Sequence, residues 1–229
     1  RVIYGAPGAT NFPVSLSIEI FEKCREYLYK NGNSGPYKIY DPFCGVAYSL
    51  TVLGLLFGEN IKEIYASDAD TTILEFAHKN LSLLSEKGID KRINELEKFI
   101  KDYNKDSHKD ALESAKRLQI ISKKLSIKIK EFQFNILKDS NLPQYINNID
   151  IIMADVPYGK LTNWDSLEDG INPIQESLNK IKDRLNTKSI IAIILNKKQI
   201  IEHNGYDKIK SFKLGKRKII LLSPVRIRA

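Results

Sequence analysis

The stretch Tyr40-Asp41-Pro42-Phe43-Cys44-Gly45-Val46-Ala47 stands between two unlike patterns. Before it, Lys38–Tyr40 reads as a short strand. After it, Ser49–Phe57 is apolar and helical, and Gly58-Glu59-Asn60 closes it. Ile64–Ser67 is a second short strand, and Ala66-Ser67-Asp68-Ala69-Asp70 leads from it into a second helix over Thr71–Ser85. Asp70 suits the cap of that helix, because its carboxylate can accept from the free N–H groups of the first turn. Strand, helix, strand, helix is the order that a parallel sheet requires, so the chain is α/β and doubly wound.

The same reading extends to both sides. Upstream, Ser15–Lys30 places Leu16, Ile20, Phe21, Cys24, Tyr27 and Leu28 near a 3.6-residue period, which predicts a helix. Downstream, 89–126 interrupts the rhythm. It is charged and helical in propensity, with Ile93, Leu96, Ile100 and Tyr103 three or four apart. It reads as an insert of two helices hinged near Asn104–Ser107. The sheet resumes with Ile127–Phe134, Ile149–Met153 and Ile190–Leu195, with a helix over Ile174–Leu185. Lys208–Lys213 and Arg217–Leu222 form a hairpin around Leu214-Gly215-Lys216. No repeat or low-complexity linker divides the chain, so residues 1–229 are one domain carrying the insert.

Composition removes several classes of function. Hydrophobic residues make up 42% of the 229, enough for a packed core and too many for a disordered chain. The longest apolar runs, such as Ile190–Leu195, are too short to cross a bilayer, so no membrane partner is expected. No signal peptide is legible, and Arg1 in place of Met suggests a trimmed chain. Cys24 and Cys44 lack any zinc-ligand spacing, and His78, His108 and His203 share none with them, so no metal is expected and a reduced cytoplasmic setting is. The net charge of +8 is concentrated: from Lys197 onward ten Lys and Arg face only Glu202 and Asp207. A polyanion would be drawn to that end.

Chemistry gathers where parallel strands end, because ligands of open α/β sheets bind outside the carboxyl ends at the topological switch. Asp41 there can meet a cationic ammonium group, and the small-residue turn after it admits close backbone approach. A phosphate loop would need a Gly-rich turn with Lys, and a dinucleotide site three spaced glycines; neither is present. Asp68, at the end of the second strand, can hold both ribose hydroxyls of an adenosine moiety. Asp155-Val156-Pro157-Tyr158 follows the strand Ile149–Met153. Asp155 and the Val156 carbonyl could accept from an amino or imino nitrogen and aim its lone pair at a methyl group, while Tyr158 offers a face on which an extruded base can stack.

Asp41-Pro42-x-Cys-Gly, Ala66-Ser67-Asp68-Ala69-Asp70 and Asp155-x-Pro-Tyr, in that order, resemble the amino-directed class I methyltransferases. Phe12-Pro13-Val14, the run Leu50–Leu56, Lys79–Ser85, and Asp155–Gly159 with Trp164 resemble more closely the avilamycin-resistance rRNA methyltransferases of the AviRa family, from about Thr10 to Ile194. The resemblance implies a Rossmann-like fold with a mostly parallel seven-stranded sheet and helices on both faces. It implies an S-adenosylmethionine-dependent enzyme that methylates a guanine nitrogen of large-subunit ribosomal RNA, N1 in preference to N2, and confers resistance to orthosomycin antibiotics; a monomer is expected. Carried over by position, Phe12, Pro13, Asp41, Phe43, Cys44, Gly45, Val46, Ala47, Asp68, Ala69, Asn135 and Ile136 would line the cofactor. Asp155, Val156, Pro157 and Tyr158 would be catalytic. Val46-Ala47 stands where Ser-Gly is usual, and Asn135 where an Asp usually accepts from the adenine amino group; an Asn can accept through its carbonyl oxygen.

For RNA, Lys160 could meet a phosphate, Trp164 could stack on a base or anchor its loop, and Lys216, Arg217 and Lys218 sit in the basic tail. Most charges of the insert form a solvated face, with Lys116, Arg117, Lys123 and Lys124 the candidates for RNA contact. Two other readings remain beside rRNA methylation: a DNA or tRNA amino-methyltransferase, and a nucleic-acid-binding Rossmann-like protein without catalysis.

Overall fold

The computed structural model describes residues 1–8, 12–156, 172–196, 201, 203–215 and 217–225. The elements run α1 (Val14–Lys30), β1 (Tyr37–Asp41), α2 (Tyr48–Phe57), β2 (Ile61–Asp68), α3 (Thr71–Ser82), α4 (Glu86–Tyr103), α5 (Asp106–Ser122), β3 (Lys128–Gln133), β4 (Ile149–Asp155), α6 (Pro173–Lys182), β5 (Leu185–Asn196), β6 (Tyr206–Leu214) and β7 (Arg217–Pro224). They build one seven-stranded sheet in the order β3-β2-β1-β4-β5-β7-β6. The pairs among β1 to β5 are parallel, and β7 runs antiparallel between β5 and β6, so the sheet is mixed but mostly parallel. From β1 the chain passes to β2 on one side and later to β4 on the other, which puts the topological switch between β1 and β4.

Strand side chains alternate between two apolar layers. Ile39, Ile64, Ile151, Met153, Ala192 and Ile194 pack beneath Leu16, Ile20, Leu50, Leu53 and Leu81 of α1, α2 and α3. Tyr40, Tyr65, Ile152, Ala154, Ile191 and Ile193 meet Ile174, Leu178 and Ile181 of α6 on the other face. Burial on both faces explains why β4 and β5 read as unbroken apolar runs. The insert has its own small core of Ile89, Ile93, Leu96, Ala111 and Ala115, shared with Val2 of the N-terminal segment.

Several boundaries differ from the sequence reading, three of them for a plain local reason. The helix expected over Thr71–Ser85 stops at Ser82, and Ser85 caps a new helix by accepting from the Gly88 amide at 3.2 Å. The insert therefore opens at Glu86, before 89, and its second helix ends at Ser122. Leu185, expected in a helix, opens β5 opposite Ile149, because the chain turns at Asp183 and Arg184. Leu214, expected in the turn, instead pairs with Arg217 at the end of β6, and Gly215 after it takes φ 57°, as a tight hairpin turn demands. Because β6 runs with the parallel strands, this turn lies at their carboxyl edge.

Candidate active site

Three carboxylates stand at neighbouring strand ends on that edge: Asp68 on β2, Asp41 on β1 and Asp155 on β4. Asp41 is buried, and its Oδ1 accepts from the Phe43 amide at 2.9 Å. Burial, with repulsion from Asp155 and Asp68, pushes its carboxyl up to about 8. Asp68 closes the turn, its Oδ2 accepting from the Gly45 amide at 2.9 Å and its Oδ1 from the Asp70 amide at 3.0 Å. Asp70 accepts from the Thr72 and Ile73 amides at the start of α3, as a cap should. Asp70 is thus the helix cap that the sequence reading expects, and each Asp68 oxygen accepts from one backbone amide.

The turn itself is tight. The Cys44 amide donates to the Ser67 carbonyl at 3.0 Å and the Ala47 amide to the Cys44 carbonyl at 2.7 Å. Gly45 and Ala47 both take φ near 53°, in the left-handed region. A Cβ built on Gly45 would meet nothing within 4 Å, so this wall is open to a ligand. Cys44, Val46 and Ala47 are buried beneath it, and burial raises the Cys44 thiol well above its usual range. Ala69 sits exposed at the rim beyond Asp68. A cationic, non-phosphorylated adenosyl group suits this donor set: carboxylates for an ammonium and for ribose hydroxyls, and no phosphate cradle.

Asp155 lies at the end of β4, and the Val156 amide behind it donates to the Ile194 carbonyl at 3.1 Å. Burial pushes the Asp155 carboxyl up to about 6, against a lowering influence from the Arg217 cation. Its Oδ1 is buried and meets no hydrogen-bond donor among the described residues. The guanidinium of Arg217 rests 4.9 Å from the ring centroid of buried Phe12. Pro13, next in sequence, caps α1 through its carbonyl, which accepts from the Leu16 and Ser17 amides at 3.1 Å.

The structure thus brings Asp41, Phe43, Cys44, Gly45, Asp68 and Asp155 to one edge, with Phe12 reaching it through Arg217. Asn135 and Ile136 stand differently. The Asn135 Oδ1 already accepts from the Leu137 amide at 3.0 Å and the Lys138 amide at 3.2 Å, and Ile136 is packed into the α6-side core. Pro157, Tyr158, Lys160, Trp164 and Lys216 lie outside the described residues. Sequence reasoning missed two features. Arg217, expected on phosphate, faces Asp155 and Phe12. Asn80, noted only as part of a motif, is fully buried against the cofactor turn. A buried Asn in a helix gives no one-dimensional signal. Among the described residues no metal-ligating cluster occurs, and no helix is long and apolar enough to cross a membrane.

Comparison with known proteins shows the family. The family model described as rRNA methyltransferase AviRa matches residues 1–217. The 23S rRNA (guanine(2535)-N(1))-methyltransferase of Streptomyces viridochromogenes is 30% identical over 228 residues, covering 96% of this chain and 88% of that one. The solved structure of rRNA methyltransferase aviRa from the same organism superposes with a TM-score of 0.82 at 29% identity, covering 96% of this chain and 88% of the other. A human methyltransferase 10 domain containing protein, at 13% identity and a TM-score of 0.52 over 97% and 88% of the two chains, shares the fold alone.

Proposed function

The chain belongs to the AviRa family of rRNA methyltransferases, and from that premise we propose that it transfers a methyl group from S-adenosylmethionine to N1 of a guanine in large-subunit ribosomal RNA. The observation that carries the proposal is the buried Oδ1 of Asp155, which lacks a donor among the described residues beside an open adenosyl cradle at the sheet switch. A buried acceptor without a partner costs about 1–3 kcal/mol, a cost that an incoming N–H would remove.

S-adenosylmethionine supplies an electrophilic methyl group. Asp41 holds the positive methionine end, and Asp68 the ribose. Guanine N1 carries a hydrogen at neutral pH, so its lone pair becomes available only when that proton leaves. Asp155 would accept the N1–H and take the proton as the N–C bond forms and the methyl–sulfur bond breaks, with S-adenosylhomocysteine as the leaving group. A carboxyl pushed up to about 6 suits the role: ionised at pH 7, yet a stronger base than an ordinary Asp. The Val156 carbonyl offers a second acceptor for the neighbouring amino group, and Tyr158 a face for the extruded base.

The basic hairpin supports RNA docking at the same edge. In register, Lys213 faces Lys218 across β6 and β7, next to the pair Leu214 and Arg217. Cations side by side on two paired strands make a positive patch that a phosphate chain can meet. Arg217 belongs to the catalytic side of this cluster, as the counter-charge of Asp155 and the lid on Phe12. Lys160, Lys216 and Trp164 complete the RNA surface in this reading. The reading further implies resistance to orthosomycins through a methyl group on their ribosomal target.

The test is tritium transfer from labelled cofactor to 23S ribosomal RNA, followed by nucleoside mass spectrometry. 1-Methylguanosine in the wild-type product, absent with Asp155→Asn, is the expected result. Label in tRNA or DNA alone, or in another nucleoside, would overturn the substrate assignment.

A further inference from the structure

Asn80 of α3 is fully buried, and both ends of its amide are engaged. Oδ1 accepts from the Tyr4 amide at 2.7 Å, while Nδ2 donates to the Tyr4 carbonyl at 3.0 Å and to the Val46 carbonyl at 2.8 Å. That last carbonyl belongs to the peptide joining Val46 to Ala47. Ala47 has φ 53°, a conformation in which an L side chain crowds its own backbone and which glycine adopts freely. For Ala47 to relax to negative φ, the peptide before it must swing relative to α2. A carbonyl tied to Asn80 resists that swing.

We propose that Asn80 is a positioning residue that clamps the Val46–Ala47 peptide and so allows alanine to occupy a left-handed position in the cofactor turn. The inference rests on the reading of that turn as the S-adenosylmethionine site. With the clamp in place, the Ala47 amide stays on the Cys44 carbonyl, and the Gly45 amide stays on Asp68. The clamp is anchored in its turn. Tyr4 donates its hydroxyl to Glu95 at 2.7 Å, and its ring lies 4.1 Å from the Arg92 guanidinium. Arg92 also donates to the carbonyls of Val2 and Arg1, each at 2.9 Å. The helical insert thereby holds the N-terminal segment, that segment satisfies the remaining bonds of Asn80, and Asn80 sets the turn. On this account α4 serves the cofactor site as scaffold, a role its charged composition does not advertise.

The experiment is calorimetric titration with S-adenosylhomocysteine, together with methyl transfer kinetics, at a temperature where circular dichroism shows each variant folded. Asn80→Ala should weaken binding roughly tenfold, the worth of one well-made buried hydrogen bond. It should raise KM for the cofactor and leave KM for ribosomal RNA near wild type. Adding Ala47→Gly should recover most of the loss, because glycine needs no clamp. Asn80→Ser, which is too short to reach Val46, should behave as Asn80→Ala and serves if that variant does not fold. Folded Asn80 variants that bind as wild type would overturn the clamp, as would a loss that Ala47→Gly does not recover. Wild-type protein that binds no S-adenosylhomocysteine would refute the cofactor reading itself, and the clamp with it.

Discussion

Asp41 should change its charge when cofactor binds, and the structure sets the size of the effect. Its carboxyl is buried at the end of β1, with one amide donor and two other carboxylates nearby, and is pushed from 3.8 up to about 8. At pH 7 about nine-tenths of the free protein then carries a proton there. A ligand with an α-ammonium group restores a counter-charge and favours the carboxylate. Binding of S-adenosylhomocysteine should therefore release about 0.9 proton at pH 7, and affinity should rise about tenfold per pH unit up to about 8. Calorimetry in two buffers of different ionisation enthalpy measures the proton directly. Asp41→Asn should abolish the release and weaken binding by roughly 1.5–3 kcal/mol where the wild type is ionised. The free protein supplies a second readout. A folded-state pKa above the unfolded one gives stability that is full below about pH 4 and lost as pH rises through about 8. Asp41→Asn lacks that loss, so its Tm should exceed wild type near pH 8, and the gap should close in acid. Binding without proton release and with pH-independent affinity would refute the reasoning.

Asp155→Asn should keep cofactor affinity and lose transfer on the order of a hundredfold or more in single-turnover assays, because it cannot take the N1 proton. In the wild type the same rate should fall as pH drops through about 6, where Asp155 protonates. Arg217→Gln removes the cation that lowers the Asp155 pKa and covers Phe12, so this acid limb should move to higher pH; an unmoved limb would show that Arg217 serves RNA alone. Lys213→Glu should have effects of opposite sign. It should stabilise the hairpin by about 0.2–1 kcal/mol against Lys218, seen by thermal melting, while weakening rRNA binding and flattening its dependence on salt. Lys216→Glu should flatten the salt dependence by about one phosphate contact, and an unchanged slope would remove that residue from the interface.

The fold was legible because its signals are local. Period-two and period-3.6 patterns, Asp70 before α3 and Gly215 between β6 and β7 each act within a few residues, and they place the strands to within a few positions. Where the local signal was ambiguous, at Ser82–Ser85 and at Leu185, capping chemistry and strand pairing decided the boundary. The acids Asp41, Asp68 and Asp155 were legible for a related reason: each ends a strand, and the strand ends of a parallel sheet share an edge. Their order along the chain, and the resemblance it carries, came from the sequence alone.

Tertiary structure decided the partners. Arg217 reads as one more base in a basic tail until β7 inserts antiparallel beside β5 and sets its cation near Asp155 and over Phe12. Asn135 reads as a free acceptor until the turn after it places two backbone amides on its oxygen. Asn80 reads as a polar residue on a helix until Tyr4 and Val46 close around it. In each case the deciding contact depends on direction and distance to the ångström, and two of the three join chain segments far apart in sequence. Such contacts arise from how helices and strands pack, which no periodicity along the chain encodes.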